Sequence, residues 1–373
     1  MKTKYKLSVV MILFGLALLL VACSTDSVAE ETAQENNNDE SAETRVITDA
    51  FGREVEIPRG AASVASIGSA ARIITYAGAA DKLVGVTDMD KENISAMPYT
   101  VVNAERFEKL VSVGAGGAND TPYVEELIML QPDIIIGNTD EGTLNNVYEK
   151  TGIPTIGIYP DGMFDESVYF AIELAGEVLG TESQSLKVVE EMKKWEEELD
   201  QLTREIPEEE KPSVYSGGVS YRGAQGFDGT MGDYPPFSAI HAKNLAKETG
   251  EQGAFLIDLE QVAVWDPDKI FLNSANMPLV RQDYEKNTAF YEGLTAVKKG
   301  EVYSQIPYNY NSTNVEIAIA NAYYAGKVIY PDAFKKIDPV QKADEIFTVM
   351  LGESFYEKLA EDGNKFGKII IGE

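Results

Sequence analysis

Short apolar runs alternate with amphipathic stretches along the chain from residue 46 onward. In the first half, the apolar runs predict strands, and the amphipathic stretches have the spacing of helices. The predicted strands are 63–67, 83–86, 134–137 and 154–158, and the predicted helices are 70–77, 123–130 and 144–150. A hairpin with Gly52 in its turn is predicted before them, at 48–58. Strands that alternate with helices favour a parallel sheet with helical crossovers.

The same alternation restarts in the second half of the chain. Its predicted strands are 213–216, 269–273 and 302–306, and its predicted helices are 239–249, 258–264 and 315–330. His241, the only histidine, is predicted on the exposed face of the helix at 239–249. The predicted fold class is therefore α/β, with two Rossmann-like lobes built on parallel-rich central sheets.

A long helical tract at 166–205 separates the two halves, and Gly176 and Gly180 are predicted to divide it. Its second part, 182–204, carries apolar side chains at helical steps: Leu186, Val189, Met192, Trp195, Leu199 and Leu202. A helix of about 23 residues is about 34 Å long, which is enough to bridge two lobes. The pattern alone also allows a helix that lies on one lobe.

Each half contains a similar corner between a helix and a strand. Glu125 precedes a Pro-Asp pair at 132–133 by seven residues, and Glu260 precedes a second pair at 267–268 by the same distance. A predicted buried strand follows each pair. The repeat supports two similar lobes, although one corner of this kind can also arise by chance.

The first residues have the pattern of a secretory signal. Lys2, Lys4 and Lys6 precede an apolar stretch at 7–21, which is shorter than the roughly 20 residues of a membrane-spanning helix. Residues 20–23, Leu-Val-Ala-Cys, resemble a bacterial lipobox, which implies cleavage before Cys23 and lipidation of that residue. An uncleaved anchor helix is the alternative. Residues 24–44 are polar and acidic and predict a disordered linker between the lipid anchor and the folded body.

Charge and composition exclude several classes of function. The 373 residues carry a net charge of −29, which becomes −32 once the three lysines of the signal are removed. Such a polyanion is repelled by nucleic acid. One Cys and one His exclude an internal disulfide and a zinc site built from Cys and His ligands. The sequence has no nucleophile elbow, P-loop, dinucleotide-binding fingerprint or HExxH motif, so an enzyme is not predicted.

Four loops carry residues suited to hold a ligand, namely 68–72, 114–122, 215–227 and 307–314. Glycines let the backbone approach a ligand, arginine offers a planar bidentate donor, and tyrosine offers a stacking face and a hydroxyl. The predicted ligand contacts are Ser69, Arg72, Tyr221, Arg222, Gln225, Tyr308 and Tyr310. Each loop also has a structural explanation, as a turn, a helix cap or an ion pair. Replacing Arg72 or Arg222 by Ala is expected to weaken binding without unfolding the protein.

Several segments resemble one family. Residues 47–55 (ITDAFGREV), 64–68 (VASIG) and 81–86 (DKLVGV) resemble the opening of the substrate-binding lipoproteins of iron-complex ABC importers. The resemblance extends over roughly residues 45–367. It implies two α/β lobes joined by one rigid helix, with a ferric siderophore, haem or cobalamin held between them and only a small closing motion.

Three further segments resemble one branch of that family, which is similar to binders of molybdate and tungstate. They are 221–226 (YRGAQG), 234–237 (YPPF) and 307–311 (PYNYN). The expected function is capture of a metal chelate, a ferric siderophore or related iron complex, and its delivery to an ABC permease by a monomeric protein with no cofactor. Binding of molybdate or tungstate is the nearer alternative, and a surface hydrolase is the more distant one.

The resemblance also assigns an organisation and a docking role. The expected order is a signal peptide at 1–22, Cys23 with its linker at 23–44, a first lobe at 45–181, a bridging helix at 182–206 and a second lobe at 207–373. In the family, one exposed Glu per lobe pairs with arginines of the permease. Glu125 and Glu260 match those positions, with Glu126 as the alternative to Glu125. Both are also explained as ordinary glutamates in the first turn of a helix.

Overall fold

The computed structural model describes residues 43–117 and 120–372. The predicted signal peptide, Cys23 and all of the linker except its last two residues therefore lie outside the described residues. In the described part, two five-stranded sheets form the centres of two α/β lobes, which confirms the predicted fold class. No helix in this part is long and apolar enough to cross a membrane.

The first lobe begins with the predicted hairpin, which pairs β1 (Thr44–Thr48) with β2 (Glu54–Pro58) in antiparallel register. Its central strands are β3 (Val64–Gly68), β4 (Leu83–Val86), β5 (Val111–Ser112), β6 (Ile134–Asn138) and β7 (Thr155–Gly157). All five are parallel and lie in the order β5-β4-β3-β6-β7. The connecting helices are α1 (Ala70–Tyr76), α2 (Pro98–Val102), α3 (Ala104–Phe107), α4 (Val124–Leu130) and α5 (Glu141–Thr151).

Two helices, α6 (Glu166–Leu179) and α7 (Glu182–Thr203), carry the chain from the first sheet to the second. Gly180 ends α6 in the left-handed conformation, with φ of 68°, as predicted. Gly176 does not divide the tract, because α6 continues through it to Leu179. Glycine is required at this position because a Cβ would collide with the side chain of Ser185 on α7. The glycine therefore allows close packing of the two helices rather than a break.

The second lobe repeats the plan of the first. Its strands are β8 (Ser213–Gly217), β9 (Gly229–Met231), β10 (Lys243–Asn244), β11 (Ala254–Leu256), β12 (Lys269–Asn273), β13 (Val302–Gln305) and β14 (Gly367–Lys368). The sheet order is β10-β8-β12-β13-β14, with only β14 antiparallel, and β9 pairs with β11 separately. Its helices are α8 (Pro235–Ser238), α9 (Leu259–Trp265), α10 (Met277–Gly293), α11 (Thr295–Lys299), α12 (Val315–Ile329), α13 (Pro339–Leu351) and α14 (Tyr356–Glu361).

The helix predicted at 239–249 is wrong. The segment instead contains the edge strand β10 and a 3-10 turn at Leu245–Thr249. Asn244 determines this, because its amide nitrogen donates to the carbonyls of Met231 and Gly232, at 2.9 and 3.0 Å, and its amide oxygen accepts from Ala246. His241 consequently lies in a turn with φ of 49°, not on a helix.

One apolar core is continuous through both lobes. It contains Ile134 of the first sheet, Met192 of α7, Ile317 of α12 and Phe271 of the second sheet. Because close-packed interiors resist deformation, a shared core favours limited relative movement of the lobes. The residue numbers at which the domains begin and end remain a prediction.

Candidate functional site

A cavity of about 620 Å³ lies where the two lobes meet. Its lining residues, which define the inter-lobe cavity, are Gly68, Ser69, Met89, Gly117, Asp120, Asn138, Tyr159, Pro160, Asp161, Tyr310, Asn311 and Ser312. They lie at or after the carboxyl ends of all five strands of the first lobe, β3 to β7, and in the loop after β13 of the second lobe. In open parallel sheets, ligands bind at this end of the strands.

The turn after β3 forms the floor of the inter-lobe cavity. Gly68 has φ of 66°, and a Cβ there would collide with the backbone carbonyl of Asn138, so only glycine fits. The next residue, Ser69, is buried, and its hydroxyl accepts a hydrogen bond from the Asn138 amide at 2.7 Å. The ends of β3 and β6 are thereby held together, with Ser69 on the cavity wall; its contact with a ligand stays a prediction.

Asp120 and Asn311 are lining residues that each bury a side-chain polar atom without a hydrogen-bond partner, and Asp120 is the ionisable one. One of its carboxylate oxygens, Oδ1, is buried without a hydrogen-bond partner. Burial raises the pKa of Asp120 and Asp140 adds to the rise, whereas hydrogen bonds from the Thr139 side chain and the Gly68 amide lower it; burial dominates. A buried carboxylate oxygen with no donor is costly, and a donor or a cation from a ligand would satisfy it.

The rim of the cavity is aromatic and acidic. Tyr159 is 59% exposed and Tyr310 is 41% exposed, so both rings are available to a ligand. Asp161 is exposed on the same rim. Tyr159 rests edge-on against Phe51 of the hairpin, with 6.0 Å between ring centroids.

Arg72 does not line the cavity but lies behind its wall. It is only 2% exposed. Its guanidinium donates to the Asn314 side chain at 3.0 Å and to the backbone carbonyls of Asn311 and Tyr310 at 2.6 and 3.3 Å. Arg72 therefore holds the loop of the second lobe against α1 of the first lobe, and its direct contact with a ligand stays a prediction.

Two buried carboxyls surround Arg72. The hydroxyl of Tyr76 donates to Glu316, and that of Tyr99 donates to Asp90 at 2.7 Å. Burial is the largest effect on the pKa of both carboxyls, and it raises them above their usual values. The hydrogen bonds from these tyrosines and the charge of Arg72 lower the two pKa values by less. The guanidinium also lies 4.8 Å from the centre of the Tyr99 ring. This cluster of five side chains is a buried polar junction between the lobes.

The other predicted contacts lie elsewhere. Tyr308 is buried, with its ring 5.6 Å from that of Tyr234. Tyr221 lines a separate hollow of about 730 Å³ that belongs to the second lobe alone. Arg222 is exposed, stacks on Tyr221 and has φ of 52°. Gln225 donates to the Tyr221 carbonyl at 2.6 Å. Only Ser69 and Tyr310 of the predicted set line the inter-lobe cavity.

Sequence reasoning missed several cavity residues. Asp120 stands in the glycine-rich loop 114–122, one of the four loops that the sequence predicts to hold a ligand. Asn138 and Tyr159 directly follow the predicted strands at 134–137 and 154–158. The rule that ligands meet the carboxyl ends of parallel strands would have indicated both.

The two repeated corners are equivalent in atomic detail. The residue before each Pro-Asp pair, Gln131 or Asp266, is left-handed, with φ of 48° and 43°. Asp133 accepts from the Ser63 amide and donates its own amide to the Ser63 hydroxyl, at 2.9 and 3.0 Å. Asp268 makes the same two bonds with Ser213, also at 2.9 and 3.0 Å.

These corners present the predicted docking residues on helices α4 and α9. Glu125 and Glu260 are both exposed, while Glu126 is only partly exposed. Leu127 and Val262, two residues further on, are fully buried and fix the orientation of the two helices. The docking role itself stays a prediction.

Comparison with known proteins places this fold among transport components. A family profile described as "Periplasmic binding protein" matches residues 64–307. A search of curated proteins finds no match.

Solved structures share the fold at low identity. A periplasmic solute binding protein from Veillonella parvula is 22% identical, with 83% of this chain and 94% of that chain covered and a TM-score of 0.69. The molybdate periplasmic binding protein MolA from Haemophilus influenzae is 18% identical, with 83% and 98% covered and a TM-score of 0.65. CeuE from Helicobacter pylori, in a Ni-His complex, is 16% identical, with 86% and 99% covered and a TM-score of 0.60.

Proposed function

Because the chain belongs to the periplasmic binding protein family, we propose that it captures a metal chelate in the inter-lobe cavity and delivers it to the permease of an ABC importer. The family consists of extracytoplasmic, non-enzymatic components of importers, so the hydrolase alternative is dropped. A tether at Cys23 would keep the protein beside its permease.

One observation carries the proposal. The inter-lobe cavity is built by residues at or after the carboxyl ends of β3 to β7 together with the loop 310–312 of the other lobe. A ligand there contacts both lobes, so its binding free energy favours the arrangement in which they are closed around it. A cavity of about 620 Å³ matches the size range of small-molecule sites, and it is much larger than a tetrahedral oxyanion requires.

The choice between chelate and oxyanion rests on the lining. MolA is described as bound to molybdate and CeuE as a Ni-His complex, so the fold accommodates both kinds of cargo. Among the described residues that line this cavity, the ionisable side chains are Asp120, Asp161, Tyr159 and Tyr310. Carboxylates repel a dianion such as molybdate, which favours the chelate.

The test is to identify the bound metal complex. Protein purified without denaturation from its native cells is analysed by native mass spectrometry and elemental analysis. Tyr310→Ala removes a rim side chain and should lower the metal content several-fold. Tyr148→Ala, at a somewhat more exposed tyrosine on α5 of the first lobe, is the matched control. Equal metal content in both variants would place the site outside the inter-lobe cavity.

A further inference from the structure

The charge of the inter-lobe cavity indicates the charge of its cargo. Asp120 contributes a carboxylate at the wall, and Asp161 contributes another at the rim. Gly68, Gly117, Ser69, Asn138, Asn311 and Ser312 add only neutral groups. Residues 118–119, which precede Asp120, are Ala and Asn and are neutral as well.

The Asp120 carboxylate favours a positively charged or hydrogen-bond-donating group of a ligand. Its Oδ1 is buried and has no hydrogen-bond partner, so the carboxylate retains an unused acceptor beside the cavity. An anionic ligand would be repelled by this carboxylate and would leave its Oδ1 without a hydrogen-bond donor. A cationic group or an N–H donor would relieve it, and a charge-assisted hydrogen bond of this kind is among the stronger ones.

The aromatic rim favours the same sign of charge. Tyr159 and Tyr310 keep large fractions of their rings exposed on opposite lobes. The faces of aromatic rings carry negative potential and attract cations. The two rings therefore add to the attraction that the two carboxylates exert on a cation or a positively charged complex.

Arg72, which the sequence predicts as a ligand contact, does not make the inter-lobe cavity positive. Arg72 is not itself a lining residue, and its guanidinium donates to Asn314 and to the backbone carbonyls of the lining residues Tyr310 and Asn311. Its charge is also opposed by the buried carboxyls of Asp90 and Glu316. Its side chain thus stabilises the loop and leaves the anionic character of the cavity in place.

We propose that the cargo of the inter-lobe cavity is a metal chelate with a net positive charge, bound by the carboxylates of Asp120 and Asp161 between the rings of Tyr159 and Tyr310. The inference rests on the proposed function and deepens it, because it specifies the charge class of the complex. It excludes anionic catecholate complexes and oxyanions as the main cargo.

Two octahedral complexes of similar size and opposite charge provide the test. Isothermal titration of the mature protein with hexaamminecobalt(III) and with hexacyanocobaltate(III), at about 0.15 M salt to screen the acidic surface, compares the two signs directly. Asp120→Asn with Asp161→Asn removes the cavity carboxylates. Asp332→Asn with Glu353→Gln, on exposed residues remote in sequence, removes the same charge elsewhere.

The cationic complex should bind with one-to-one stoichiometry and the anionic complex should not. The cavity double variant should lose about tenfold or more in affinity, while the surface double variant should match the parent. Equal losses in both double variants, or no cation binding at all, would overturn the inference. Binding of the anionic complex that is lost in Tyr310→Ala would also overturn it, yet would leave capture in the inter-lobe cavity intact.

Discussion

Arg72 is a buried cation whose partners come from both lobes. The sequence predicts a ligand contact here and expects Arg72→Ala to leave the fold intact, since a pattern of residue types does not reveal burial. The structure changes that expectation. Removing the guanidinium leaves Asp90 and Glu316 buried without a compensating charge and releases the carbonyls of the loop at 310–311.

Arg72→Ala should therefore lower the free energy of unfolding by about 3–5 kcal/mol, the usual cost of an uncompensated buried charge. Urea denaturation followed by circular dichroism measures the change. Arg222→Ala, which removes an exposed arginine, is the control and should stay within about 0.5 kcal/mol of the parent. Equal midpoints for the two variants would show that the polar junction contributes nothing to stability.

Glu301 makes the second lobe sensitive to acid. Its carboxylate receives hydrogen bonds from Lys269, Tyr303 and Lys368, at 2.5, 2.8 and 3.1 Å. The hydrogen bond from Lys269 is the main reason that the pKa of Glu301 falls from 4.5 to about 2. A carboxyl whose folded pKa is depressed stabilises the fold above its unfolded pKa and loses that contribution as pH falls.

Glu301→Gln should thus reduce the free energy of unfolding by about 1 kcal/mol at neutral pH. The difference from the parent should shrink between pH 4.5 and about 2, where the parent carboxyl becomes protonated. Urea titrations at a series of pH values measure it. Glu353→Gln, on an exposed glutamate, serves as the control, and a difference that is constant with pH would contradict the assignment.

At the scale of elements, the two helix–strand corners relate the lobes to each other. α4 and α9 each end at a left-handed residue, and the aspartate that follows each helix makes the same two hydrogen bonds with a serine, Asp133 with Ser63 and Asp268 with Ser213. The exposed Glu125 and Glu260 thus stand on equivalent, rigidly held supports. Two equivalent carboxylates suit a partner with two equivalent subunits.

Glu125→Arg combined with Glu260→Arg should abolish uptake in cells, because the two introduced arginines would repel the arginines expected on the permease. Binding of the metal complex by the purified variant should be unchanged. Glu149→Arg with Glu357→Arg changes the same charge on exposed positions of α5 and α14. Normal uptake by the first pair would remove these residues from the interface, and loss of uptake by the second would indicate a general charge effect.

The elements that the sequence predicts well are those whose burial is uniform. β3, β6 and β12 each contain a short buried run of mainly apolar residues between turn signals, and they lie within one residue of the predicted bounds. Such strands can be predicted without knowing what packs against them, because a strand of a parallel sheet is buried on both faces.

Elements decided by tertiary contacts could not be predicted in this way. The region at 239–249 has helical spacing, but pairing of β10 with β8 and the bonds of Asn244 override it. The polar helix α10 has no clear apolar face in the sequence and was not predicted. The cavity residues Asp120 and Tyr159 could be placed near strand ends, whereas their meeting with Tyr310 depends on how the two lobes pack.

At the scale of the whole molecule, the predicted attachment to the membrane depends on one residue outside the described part of the chain. Cys23→Ala should abolish lipidation and release the protein from the membrane fraction, since residues 24–44 are polar and acidic. Fractionation and mass spectrometry of the amino terminus measure both effects. Ser24→Ala, next to the predicted lipid site, is the control and should remain attached. A cleaved Cys23→Ala protein that stays in the membrane fraction would contradict the lipoprotein assignment.

The apolar core that runs through both lobes has a consequence for traffic at the permease. If the lobes move little, the separation of α4 and α9 is nearly the same whether the inter-lobe cavity is full or empty. If Glu125 and Glu260 dock on the permease as predicted, the transporter cannot distinguish the two forms by the spacing of these residues, and empty molecules compete with loaded ones for the same docking site. Overproduction of the binding protein beyond the supply of cargo would slow import rather than speed it, so the cell gains from matching the number of receptors to the amount of metal complex outside.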